Sequence, residues 1–236
     1  MTTRPAPAVL AHYTRSGFTE GVHVGHAVVV DPTGSVIRSW GDPDHVIFPR
    51  SSNKPAQAAA MVAAGLDLPD RLLALAASSH SGEELHIDGV REMLGIGGLD
   101  ESVLQTPVDY PLDLDERDAW IRDGRTPMAI AMNCSGKHAA MLLTCLVNDW
   151  PVASYLDPQH PLQLAVLAQL ESLASESVDH VGVDGCGAPV MSLTVAGLAR
   201  VMSRCVSDGA GTPARRVADA MAGHPETVGG RRRDVT

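Results

Sequence analysis

Hydrophobic and polar positions change rhythm near residue 50. Before it, apolar residues fall in short β-branched runs broken by Gly, Pro and Asp. Val9-Leu10-Ala11-His12-Tyr13 reads as one strand, residues 21–30 as a second, and Ser35-Val36-Ile37-Arg38-Ser39-Trp40 as a third. The turn Asp31-Pro32-Thr33-Gly34 makes the last two a hairpin with a four-residue connection. His45-Val46-Ile47-Phe48 is a short strand that runs into Pro49-Arg50-Ser51. A two-stranded hairpin is not stable alone in water, so these strands need partners.

After residue 50 the spacing becomes helical. Helices are expected at 52–64, ended by Gly65, at 70–77, and at 83–94, stopped by Gly95 and Gly97-Gly98. Others are expected at 136–148, 161–174, 192–207 and 213–222, with the 161–174 segment closest to a 3.6-residue repeat. Residues 100–127, rich in Pro, Asp and Gly, carry no sustained period and read as loop with one helical turn. Val181-Gly182-Val183 is too short to classify. The pattern predicts an α+β chain, an antiparallel sheet joined to a helical region, in one domain over 1–236 with strands at 9–50 and helices dominating 51–236. Little strand-like sequence remains before Thr236 to partner the opening strands.

Composition narrows the function. With 44% hydrophobic and 19% charged residues in 236, the chain can bury a core. A net charge of −10 argues against nucleic-acid binding, and Arg231-Arg232-Arg233 is too short to offset it. No apolar run reaches the ~20 residues of a membrane span. The start, Met1-Thr2-Thr3-Arg4-Pro5, lacks an apolar signal core, so a cytoplasmic location is expected. Four cysteines are too few for a disulfide scaffold. Cys145 and Cys205 follow apolar helical runs and read as buried thiols, whereas Cys134 and Cys186 lie in polar, Gly-bearing loops.

Four polar clusters carry candidate chemistry. In Arg50-Ser51-Ser52-Asn53-Lys54-Pro55, a hydroxyl stands three residues before an amine at a helix entrance marked by Pro55. Positions i and i+3 share a helix face, so a neutral Lys54 could take the proton of a nucleophilic Ser51; a plain serine N-cap is the bland alternative. Ser78-Ser79-His80-Ser81-Gly82-Glu83 offers a second serine, Ser79, with His80 fixing the loop by a hydrogen bond. Its bland reading makes Ser81 the N-cap of the next helix, with Glu83 and Glu84 in the first turn. Asn133-Cys134-Ser135-Gly136-Lys137-His138 opens an apolar helix, and Asp184-Gly185-Cys186-Gly187-Ala188-Pro189 is a tight turn. Two loop cysteines with a third nitrogen ligand, His138 being the natural choice by residue type, would make an open zinc site; two structural thiols are the alternative.

Together with Gly41-Asp42-Pro43 and His224-Pro225-Glu226, these clusters resemble the asparaginase II family from about Glu20 to the end. These are the rhizobial-type L-asparaginases, akin in fold to serine β-lactamases and penicillin-binding proteins. The resemblance implies hydrolysis of L-asparagine to L-aspartate and ammonia by acyl transfer. Its catalytic residues fall on Ser51, Lys54 and Ser79, and its substrate contacts on Arg50, His80, Gly82 and Glu83. Its Zn2+ ligands fall on Cys134, Lys137 and Cys186 with water fourth, Lys137 replacing His138. It also implies a tendency to homodimers. Family chains continue beyond Thr236, so the resemblance implies a C-terminally truncated domain lacking the closing strands and the lysine that partners the second serine. Both lysines of the chain, Lys54 and Lys137, are then already assigned, Ser79 is left without a partner, and little activity is expected. An inactive zinc-binding remnant and a β-lactamase-like serine hydrolase are the competing readings; the latter would need an export signal and a K-T-G strand.

Overall fold

The computed structural model describes residues 4–232. Met1-Thr2-Thr3 of the expected signal-free start, and Arg233 to Thr236, lie outside the described residues. Strand β1 (Ala8–Arg15) pairs antiparallel with β2 (Phe18–Gly25). The hairpin closes through Ser16-Gly17, both at positive φ, which is the backbone that two-residue hairpin loops require. Strands β3 (Ala27–Val30) and β4 (Val36–Trp40) form the next ladder across the expected turn, where Asp31 Oδ1 accepts the N–H groups of Thr33 at 2.8 Å and Ser35 at 3.0 Å. The continuous strand expected over 21–30 is therefore cut at His26. That residue leaves the ladder so that its Nδ1 can accept the Asp42 N–H at 2.8 Å, and the halves on either side take different partners.

Strand β5 (Val46–Ile47) finds its partner far along the chain in β8 (Leu193–Thr194). The unclassified segment 181–183 is strand β6 (Val181–Val183), paired with β7 (Pro189–Met191) around the turn that holds Cys186. The described strands thus form four separate two-stranded antiparallel ladders beside a helical region. The β1–β2 ribbon stands largely in solvent, with Phe18 74% and Val24 60% exposed.

Helix α1 (Lys54–Ala63) follows a 3-10 turn over Arg50–Asn53. After it come α2 (Asp70–Ala76), α3 (Glu84–Ile96), α4 (Leu114–Arg122), α5 (Ser135–Val147), α6 (Pro161–Ala174), α7 (Val195–Ser207), α8 (Pro213–Gly223) and the short α9 (Pro225–Val228). Helix α4 corrects the expectation of a single turn in 100–127. Asp113 caps it by accepting the Glu116 N–H, and it buries only Trp120, so it carries too narrow an apolar stripe to show a period. The segment expected as one helix from 192 opens instead with β8. Thr194 then caps α7 by accepting the Gly197 N–H at 2.8 Å. None of the helices among the described residues is long and apolar enough to cross a membrane.

The core lies where α1, α2 and α5 meet, with α6 and α8 packed against α1 and α3 against α5. Small residues let the backbones approach closely. A Cβ on Gly136 of α5 would lie 2.7 Å from the carbonyl oxygen of Leu75 in α2. Around this contact Met61, Leu73, Leu75, Met141 and Leu142 are almost fully buried. Truncating one such side chain to Ala costs about 2–5 kcal/mol. The first three turns of α5 are buried on every side, Lys137 and His138 included. Two nitrogen bases inside an apolar helix need partners of their own.

Candidate active site

Arg50, at φ 52°, turns the chain out of β5 and into the 3-10 turn that precedes α1. This left-handed conformation is costly for a residue with a Cβ. Arg50 Nε is held 2.5 Å from Asp184 Oδ1 on the β6–β7 turn. The turn leaves Ser51 and Ser52 exposed and sends the side chain of Lys54 inward, where it is 1% exposed.

The Lys54 amine does not serve Ser51 in this structure. No hydrogen bond joins their side chains among the described residues, and the i,i+3 spacing delivers a backbone bond from the Lys54 N–H to the Ser51 carbonyl. Lys54 Nζ donates instead to Ser79 Oγ at 2.7 Å and to the Ser78 carbonyl. The expectation that Ser79 lacks a lysine is corrected: Lys54 reaches it because the 78–83 loop passes over the buried start of α1. Burial holds the Lys54 amine below the ordinary lysine range. The neighbouring Cys134 opposes that shift and Lys137 reinforces it. Ser51 and Ser79 nevertheless open onto one cleft of about 760 Å³, walled on the far side by Met202, Cys205, Val206 and Met221.

The loop that carries Ser79 is fixed at several points. Ser78 Oγ donates to the Leu75 carbonyl at 2.8 Å, at the end of α2. His80 N–H donates to the Asn133 carbonyl at 3.1 Å, and His80 Nε2 lies 2.9 Å from Ser135 Oγ. Since Ser135 Oγ gives its proton to the Ile130 carbonyl, His80 Nε2 is the donor in that pair. His80 thus ties its loop to the entrance of α5. Gly82, at φ 86°, packs so closely on Pro111 that a Cβ would lie 2.8 Å from its Cα. Glu83 Oε1 accepts the Ser81 hydroxyl and the Arg231 N–H, each at 2.9 Å. Ser81 is therefore not the N-cap; α3 begins at Glu84, and Glu83 occupies the capping position without a side-chain cap bond. None of Arg50, His80, Gly82 and Glu83 is among the residues lining the cleft. Their contacts, among the described residues, hold the surrounding backbone.

Behind Lys54 the two sulfur-bearing loops converge. Cys134 stands at the entrance to α5, Lys137 in its first turn, and Cys186 in the turn between β6 and β7. Lys137 Nζ lies 3.2 Å from Cys186 Sγ. Cys134 and Cys186 share a small buried cluster with Ala188, and the Cys134 thiol donates to Asn133 Oδ1 at 3.2 Å. Each sulfur acts on the other, pushing the Cys134 thiol up and the Cys186 thiol down. His138 sits alongside, its Nδ1 2.8 Å from Tyr155 Oη, and burial lowers its pKa to about 4. No three His, Cys, Asp or Glu side chains cluster as a metal cage among the described residues. The third donor beside the two sulfurs is the Lys137 amine, and two sulfurs with one nitrogen are a donor set that suits zinc.

Sequence reasoning missed Asp184, Tyr155 and the wall of the cleft. Asp184 had one local signal, its place beside Gly185-Cys186; its partner Arg50 is distant in sequence. Tyr155 and the methionines of α7 and α8 had none.

A family model described as L-asparaginase II matches residues 11–236. No curated protein matches the chain.

Proposed function

The chain belongs to the L-asparaginase II family of amide hydrolases, and from that premise we propose that it releases ammonia from L-asparagine through acyl transfer at the Lys54–Ser79 pair. One observation carries the reading: a desolvated amine held 2.7 Å from a hydroxyl that faces an open cleft. Neutral Lys54 takes the Ser79 proton as Oγ attacks the side-chain amide carbon. The resulting ammonium returns a proton to the leaving nitrogen, and ammonia departs. Water, deprotonated by the same amine, then cleaves the Ser79 ester to release aspartate. Ser51, on the same cleft, is placed to hydrogen-bond the substrate.

Cys134, Lys137 and Cys186 are the residues that would hold a zinc ion, whose charge would offset the two sulfurs that otherwise favour the protonated amine of Lys54. A Ser-x-x-Lys on the turn that leads from β5 into α1 also supports the architecture of serine β-lactamases and penicillin-binding proteins. A cytoplasmic homodimer completes the reading.

The test is ammonia release by the purified chain from L-asparagine and L-glutamine, with metal content measured on the same sample. Release from asparagine that disappears in Ser79→Ala is the expected result. Full turnover in both Ser79→Ala and Lys54→Met would sink the assignment.

A further inference from the structure

We propose that Cys134 and Cys186 form an oxidisable dithiol, a modification site that hydrogen peroxide closes to a disulfide. The observation behind it is convergence. The two residues come from segments with no ladder between them, yet their side chains meet in one small buried cluster. All four cysteines are free thiols. Cys145 is buried in the core of α5 and Cys205 on α7 faces the cleft; neither has a thiol against it among the described residues. Ser79 lines the cleft and is bonded to the Lys54 amine, and Cys134 lies beside that amine.

The chemistry balances with peroxide as the only co-reactant. One thiol attacks the O–O bond, which breaks to leave a sulfenic acid and release water. The second sulfur displaces the hydroxyl from that sulfenic sulfur, forming the S–S bond and releasing a second water. The pair of thiols loses two electrons, and peroxide is reduced.

The experiment treats the metal-free full chain with stoichiometric hydrogen peroxide, alkylates the remaining thiols and maps the peptides by mass spectrometry. The expected product has lost two hydrogens, carries a crosslinked peptide joining Cys134 to Cys186, and reverts with dithiothreitol. Cys205→Ser forms the same crosslink, whereas Cys134→Ser and Cys186→Ser do not. Circular dichroism of each variant separates loss of the partner from loss of the fold. Oxidation that stops at sulfenic or sulfinic acid in the folded wild-type chain, or a crosslink involving Cys145 or Cys205, overturns the proposal.

Discussion

Lys54 Nζ sits 2.7 Å from Ser79 Oγ, although the serine three residues before the lysine was the obvious partner. The separation between the two chemical groups is thus set by packing of the 78–83 loop on α1, not by helical spacing. Changes to the amine should affect turnover more than affinity. Lys54→Met is expected to lower kcat by roughly 10²–10⁴-fold with KM little changed, the range for loss of a general base. Lys54→Arg should not rescue it, because a guanidinium does not give up its proton. Steady-state ammonia release reads both numbers. A Ser51→Ala variant with the larger loss, beside an active Ser79→Ala, would transfer the nucleophile to the other hydroxyl.

The pH profile follows from the direction of the Lys54 shift. Burial places its pKa below the ordinary lysine value of 10.5, so the neutral base accumulates as pH rises through that lowered value. We expect kcat/KM to climb along a single limb whose midpoint lies below 10.5, the ordinary lysine value. A limb centred on an ordinary lysine pKa would show that the amine is solvated and not poised as a base.

Stability should depend on pH through His138. Its folded pKa, about 4, lies under the ordinary histidine value of 6.5, so the unfolded chain binds the proton first. The stabilisation is complete above 6.5 and is lost as pH falls towards 4. The difference amounts to about 3 kcal/mol at most by proton linkage. Urea unfolding at pH 7.5 and 5 with a chelator present should show the drop. His138→Gln should flatten it.

Glycine substitutions offer an internal control. Gly136→Ala puts a methyl group 2.7 Å from a backbone oxygen of α2, which cannot swing aside. A cost of about 1–3 kcal/mol is expected, with turnover falling too, because α2 leads directly into the Ser79 loop. Gly95→Ala in α3 meets open space and should stabilise by about 0.5–1 kcal/mol. Midpoints from urea titration compare the two directly, and equal effects would refute the packing argument.

Metal uptake is the fifth measurable property. Cys186→Ser and Lys137→Met should each weaken zinc retention by more than the roughly 10–100-fold typical of losing an outer-shell group. Competition against a chromophoric chelator reads the change. Retention equal to that of the parent chain would remove Lys137 from the ligand set.

Much of the architecture was legible because helices report their period and their stops. The segment 161–174 was placed to the residue, since Pro161 starts it and its apolar positions repeat. Helix α4 was not, because a helix that buries one tryptophan has almost no stripe to detect. The break at His26 was hidden too, since it rests on a hydrogen bond to Asp42 across the chain. The same reason limits the site. The polar clusters marked which loops matter, but the Lys54–Ser79 and Arg50–Asp184 pairings are tertiary and have no local spacing to betray them.

Strands β5 and β8 meet through only two residue pairs, Val46 with Thr194 and Ile47 with Leu193. That short seam joins the polypeptide leading to Ser51 with the polypeptide leading into the methionine-bearing wall of α7. A slip by one position would shift one bank of the cleft against the other by about 3.3 Å and reverse which side chains point inward. The width of the cleft is therefore tied to a two-pair fastening as well as to the packing of α7 on α6, α8 and β3.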